Sequence, residues 1–235
     1  MLRGLLFTVY NFSMNMKSIL YSLPGIILGL TLHEYCHAFA SHKLGDETAE
    51  KMGRLSFNPL RHIDLIGLLF IIFAGFGWAR PVIFNPENLK HPRRDKAIIA
   101  GSGPLANLVL ALIFIAFIRL WLVFPALFAS SGRAKFVSSV LYSDPFVGFM
   151  TVIYSGIMIN LGLFFFNLLP IPPLDGSHIV FSGLNLSHET ELLIMKIGTP
   201  LLFIILIIQN RAHITIIPIG KLISAVMSIL LPMPG

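Results

Sequence analysis

The chain has 235 residues, 55% of them apolar and only 12% charged, with a mean hydropathy of +0.81. A soluble domain carries roughly a quarter charged residues, so this composition excludes an ordinary soluble fold and leaves no room for a separate soluble domain beside the apolar blocks. The net charge of +6 comes from Lys and Arg grouped in short loops, as the positive-inside rule expects, with no basic, aromatic-interleaved stripe to suggest a nucleic-acid partner.

In chain order, the first twelve residues, MLRGLLFTVYNF, have a short apolar core and no small-residue cleavage site. They are expected to remain as an interfacial segment. Residues 19–42 are apolar and long enough to span a bilayer at ~1.5 Å per residue. Residues 43–62, KLGDETAEKMGRLSFNPLRH, read as a polar loop. Residues 63–79 are apolar but short and contain Gly67, Gly75 and Gly77. Residues 80–96, RPVIFNPENLKHPRRDK, form a second basic loop. Residues 97–124 make a long span that opens on GSGPLAN, and a mixed loop covers 125–144. Residues 146–169 form another span, ending in NLLPIPPLDG. Residues 192–208 are interrupted by Lys196, Gly198 and Pro200, and residues 214–232 hold Pro218 and Lys221. These last two are expected as one span each or as a broken pair dipping from one side. The expected fold is an all-α polytopic membrane protein with about 4–6 spans and a re-entrant segment near 63–79. It forms one membrane-embedded domain over 1–235, with a core at 19–185 and C-terminal membrane segments at 189–235.

Within the first span, His33, Glu34 and His37 form H-E-x-x-H. Residues four apart on a helix differ by about 40° in azimuth and ~6 Å in rise. Both imidazoles therefore leave one face and can hold one divalent ion. Glu34 lies beside them, in reach of the proton of a water that the metal activates. Three ionisable groups in hydrocarbon need a strong compensating partner, which weighs against a mere hydrogen-bonded histidine pair. Cys36, the single cysteine, faces elsewhere and reads as packing; alone it excludes an internal disulfide and a four-cysteine zinc site.

A catalytic site of this type expects a third protein ligand, and the chain holds only eleven acids. Asp46, Glu47 and Glu50 read as surface groups on a solvated loop. Asp175 follows a span in a stretch broken by Pro170, Pro172 and Pro173, with Gly176 permitting a sharp turn. Broken backbone at membrane depth is tolerated where it lines a cavity. His62 and His178 are rival third ligands, ranked below Asp175.

H-E-x-x-H in the first span, GPLAN opening a later one and NLLPIPPLDG ending another resemble the site-2 protease family of intramembrane zinc metalloproteases. GRLSFNPLRHID and GWARPVIFNP are similar to its short bacterial branch, whose members lack PDZ and CBS domains. The likeness covers about residues 20–185; Leu65 stands where that family commonly has proline. The resemblance implies one Zn2+ per chain held by His33, His37 and Asp175, with Glu34 as general base. It also implies Asn167 near the scissile carbonyl. The implied activity is hydrolysis of peptide bonds in transmembrane segments of other membrane proteins, within a lipid bilayer such as the bacterial inner membrane. A zinc transporter or sensor is the rival reading, and the spans carry too few acids for a transport path.

If Asp175 joins the histidines, the first span and residues 146–169 run in the same direction, and 97–124 runs opposite. Residues 63–79 then cannot cross and must dip in and return. Lys43, Lys51, Arg54 and Arg61 precede that dip, and Lys90, Arg93, Arg94 and Lys96 follow it. Both loops are therefore expected on the cytoplasmic side, with the active site nearer that face. Water is expected to enter from there past Ser41, His42 and Asn58. Val82, Ile83 and Phe84 could offer a strand edge to an unwound substrate. Asn107 is expected either to pack helices or to contact the cavity, and Gly101 and Gly103 to allow close helix approach.

Overall fold

The computed structural model describes residues 16–74, 77–128, 143–184, 186–212 and 215–231. The N-terminal segment 1–12 and most of the 125–144 loop lie outside the described residues. Eight α-helices are described: α1 (Met16–Lys43), α2 (Thr48–Lys51), α3 (Leu65–Ala74), α4 (Pro92–Phe128), α5 (Asp144–Asn167), α6 (Asp175–Leu184), α7 (His188–Ala212) and α8 (Ile219–Leu230). Among the described residues there is no strand. Among the described residues four helices are long and apolar enough to cross a membrane, over Lys17–Lys43, Pro92–Trp121, Asp144–Asn167 and Glu189–Gln209. The protein is an all-α polytopic membrane protein.

At the C-terminal region the one-span alternative holds for the first segment only. Residues 188–212 form a continuous helix with Pro200 inside it, while α8, at 12 residues, is ~18 Å long and too short to span. The two are joined by Gln209, whose Oε1 accepts the N–H groups of Ile216 and Ile217 at 3.0 and 2.8 Å. Pro92 starts α4, where a missing N–H is harmless, and Asp95 in its first turn accepts the His91 N–H at 2.9 Å.

Close packing fixes helix directions. A Cβ on Gly25 would lie 2.8 Å from Gly156 Cα, and one on Gly29 would lie 2.6 Å from Asn160 Oδ1. Advancing four residues on α1 thus advances four on α5, so the two run parallel. Against α4 the order reverses: His37 meets Ile99, and Gly29, earlier on α1, meets Asn107, later on α4. This is the arrangement the shared-ligand argument requires. Small residues permit these contacts, the usual solution where lipid supplies no hydrophobic drive between helices. Ala111, Ile115, Ile157 and Leu161 fill the α4–α5 core, and Ile223 of α8 closes it.

The described parts of the segment at 63–79, which leave out Gly75, do not cross. Helix α3 has 10 residues, ~15 Å, about half a hydrocarbon core. The chain then returns as non-helical backbone, and Arg80 N–H donates to His62 C=O at 2.7 Å. Entry and exit are thus side by side. The descending and returning limbs touch at Gly67 and Gly77, where a Cβ would lie 2.0 Å from Trp78 O and 2.1 Å from Gly67 O.

Candidate metal centre

His33 and His37 lie one helical turn apart on α1, and Asp175 opens α6. Helix α5 ends at Asn167, ahead of Pro170, and the first turn of α6 packs back on that end. A Cβ on Gly176 would lie 2.3 Å from Leu168 O. Gly176 therefore serves close backbone approach rather than a sharp turn. The result sets Asp175 Oδ2 3.2 Å from His33 Nε2 and Asp175 Oδ1 3.5 Å from His37 Nε2, with the two Nε2 atoms 3.0 Å apart. One ligand atom from each residue falls within a 4.8 Å group.

The outward ring nitrogens fix the chemistry of the inward ones. His37 Nδ1 lies 2.7 Å from the Ile99 carbonyl, which can only accept, so Nδ1 carries the proton. His33 Nδ1 lies 2.7 Å from Asn107 Oδ1. The Asn107 amide donates through Nδ2 to Gly29 C=O at 3.0 Å and to Asn160 Oδ1 at 2.9 Å, which orients its oxygen toward His33. In the neutral, metal-binding form, with Nδ1 protonated on each ring, both Nε2 atoms would turn lone pairs toward one another and toward the Asp175 carboxylate. Asp175 Oδ2 is buried with no hydrogen-bond donor. Converging lone pairs repel unless a cation sits among them. Two nitrogens and one carboxylate are the donor set of a catalytic zinc site, so the residues fit that ion.

Gly103 lies flat against the pair: a Cβ there would be 2.4 Å from His37 Nε2 and 2.8 Å from His33 Cε1. Glu34 is buried, and its Oε2 accepts the Val82 N–H at 3.0 Å. His33, Glu34, His37, Asp175, Val82 and Asn167 all line one cavity of about 840 Å³ with a mostly apolar wall. Asn167 Nδ2 donates to Leu163 C=O in its own helix at 2.9 Å. The described structure thus brings His33, Glu34, His37, Asp175 and Asn167 to one cavity.

Other expected positions fall elsewhere. His62 is fully buried away from the cavity, its Nε2 2.6 Å from Ser56 C=O. His178 does line the cavity, with Nδ1 buried and unpartnered, but stands outside the three-ligand group. Burial, then the nearby Lys96 charge, pushes its pKa down. The expected water path past Ser41, His42 and Asn58 is corrected, since none of the three lines the cavity. Ser41 is fully buried and donates to Asp46 at 2.9 Å, His42 pairs with Glu50 at 2.9 Å, and Asn58 Oδ1 caps a 3-10 turn at Leu60 N–H.

Asp46 is not a surface acid. It is fully buried and accepts from Ser41 and Thr48 hydroxyls, Asn88 Nδ2 and Asn85 N–H. Burial alone would raise its pKa; these donors outweigh that and lower it to about 2.

Sequence reasoning missed the supporting groups. Asn107 was expected to pack helices or to contact the cavity, and nothing in the sequence signalled that it would hold His33. The Ile99 carbonyl and the Arg54 contacts described below gave no sequence signal.

A family model described as Peptidase family M50 matches residues 21–205. "Putative zinc metalloprotease YwhC" of Bacillus subtilis is 41% identical over 160 residues, covering 68% of this chain and 67% of its own length. "Putative zinc metalloprotease Rip2" of Mycolicibacterium smegmatis is 30% identical over 191 residues, covering 79% of this chain and 66% of itself. The protein of the same name from Mycobacterium tuberculosis is 29% identical over 159 residues, covering 66% of this chain and 53% of itself. No solved structure matches the chain.

Proposed function

The chain belongs to peptidase family M50, and from that premise we propose that it is a zinc metalloendopeptidase cutting peptide bonds in transmembrane segments of other membrane proteins. The observation that carries this reading is the convergence of the two Nε2 atoms and the Asp175 carboxylate, whose Oδ2 has no hydrogen-bond donor, beside Glu34, on one cavity at the end of two parallel spans. We assign the whole described chain to a single protease domain, with the bilayer and a membrane-protein substrate as its partners.

His33, His37 and Asp175 would hold the zinc. When bound, it supplies a Lewis acid that makes water a nucleophile near neutral pH and polarises the scissile carbonyl. Glu34 takes the proton from the attacking water and passes it to the leaving amine. Its Oε2 is engaged by Val82 N–H, which assigns the proton to Oε1. Asn167 has one amide hydrogen on Leu163 C=O; the other is assigned to the developing oxyanion. The returning limb, residues 77–84, is non-helical and contributes Trp78, Val82 and Phe84 to the cavity wall. An unwound substrate segment has extended backbone beside it there. The Val82 N–H is already taken, so pairing would use its neighbours.

Basic residues on both sides of the dip support a cytoplasmic-side active site in a bacterial inner membrane. The test is cleavage of a reconstituted single-span protein by wild type and Glu34→Ala, with zinc content measured on both. Near-total loss of cleavage in Glu34→Ala with zinc retained is expected. Equal cleavage by both would remove Glu34 as base, and a zinc-loaded wild type that cuts nothing would favour a transporter or sensor.

A further inference from the structure

Arg54 is 6% exposed, an unusual place for a guanidinium, and its partners are main-chain carbonyls rather than an acid. Its Nη1 donates to Arg61 C=O and, at 3.3 Å, to Arg80 C=O; its Nη2 donates to Pro81 C=O at 3.3 Å. One side chain thus grips the chain just before the re-entrant dip and just after it. Burial, and then the nearby Arg80 charge, lower its pKa, while the charge of Glu34 opposes that shift.

The last of these contacts matters for the site. The Pro81 carbonyl and the Val82 N–H belong to one peptide group, and in a trans peptide they point to opposite sides. Arg54 holds the oxygen of that group, and Glu34 Oε2 holds its hydrogen at 3.0 Å. The peptide dipole lies between a cation at its negative end and a carboxylate at its positive end. Hydrogen bonds in such a chain polarise one another, more so in a low-dielectric setting. The far end of the limb is tethered by Asp46, which accepts the Asn85 N–H at 2.9 Å. The limb is fixed on both sides of Val82.

We infer that Arg54 is a positioning residue that acts on Glu34 through the Pro81–Val82 peptide group, setting which carboxylate oxygen faces the reacting water. The inference rests on Glu34 as the base. A carboxylate free to rotate would lose its near-attack alignment, and a displacement of about 1 Å costs up to ~100-fold in rate.

The experiment is a double-mutant cycle on the full-length protein in liposomes. Val82→Pro removes the N–H; Arg54→Met removes the guanidinium at similar length; Arg54→Lys restores a donor. Each single change is expected to lower kcat for a single-span substrate about 10-fold or more, with KM and zinc content held. Arg54→Lys is expected to recover part of the loss, and the double variant to be no worse than the poorer single one. Multiplying losses, or a drop in zinc content instead of kcat, would overturn the inference. A second measurement is independent of activity. The Val82 amide is expected to exchange hydrogen slowly in wild type and about 10-fold faster in both Arg54→Met and Glu34→Ala. Unchanged exchange in either variant would overturn the relay even if the protein proves to be a protease, and slow exchange in a wild type that cuts nothing would separate the contact chain from the proposed reaction.

Discussion

Asn107 Oδ1 sits 2.7 Å from His33 Nδ1, across 74 positions of sequence. It holds the ring so that Nε2 faces His37 and Asp175, and its own amide is locked by Gly29 and Asn160. Outer partners of metal-binding histidines commonly tune affinity or activity by ~10–100-fold.

Asn107→Leu is accordingly expected to lower zinc affinity about 10-fold or more, read as zinc retained against a graded chelator. Asn107→Asp keeps an acceptor for His33 and loses the donor to Gly29, so it should retain more zinc than Asn107→Leu. Equal retention in wild type and Asn107→Leu would show that His33 needs no such partner.

Gly103 and Gly101 make a matched pair. A methyl at Gly103 collides with His37 Nε2 at 2.4 Å, whereas one at Gly101 meets nothing nearer than Ile179 Cδ1 at 3.8 Å. Gly103→Ala should abolish zinc binding and cleavage. Gly101→Ala should leave both within about twofold and keep the same melting temperature, since 3.8 Å is ordinary packing contact. Zinc content, cleavage rate and Tm on the same preparations decide it, and a fully loaded Gly103→Ala would contradict the close contact.

Asp46 makes stability depend on acid in a defined window. Its carboxyl titrates near 3.8 when free and at about 2 in the folded chain. The folded state therefore prefers the charged form. The contribution is complete above the free value and is lost as pH falls from about 3.8 toward 2. Asp46→Asn cannot follow this titration. The Tm difference between wild type and Asp46→Asn should be constant from pH 7 to about 4 and shrink below that. A difference that stayed level down to pH 2 would mean the carboxylate is not the stabilising species.

Much of the fold was legible because membrane spans are local. The apolar blocks at 19–42, 97–124 and 146–169 needed only length and hydropathy, and each lies on a described helix of similar extent. The dip at 63–79 followed from Asp175 sharing the site with the histidines, which sets the directions of the spans on either side of it, and its basic flanks agreed. The C-terminal segments were harder, because Pro200 inside a helix reads as a break. Proline removes one N–H and one carbonyl contact, and a helix long enough on both sides absorbs that loss.

The site divides along the same line. By itself the sequence determined a histidine pair on one helix face with a carboxylate beside it, since four residues of helix are a fixed geometry. It also pointed to a broken, acid-bearing end of a later span. Only the tertiary structure decided that Asp46 is buried, that Ser41, His42 and Asn58 do not line the cavity, and that Asn107 and the Ile99 carbonyl orient the two rings. It alone placed one peptide group between Arg54 and Glu34. Burial and hydrogen-bond partnership arise from chain segments tens of residues apart meeting in space, and no local pattern of residues encodes which carbonyl a given side chain will reach.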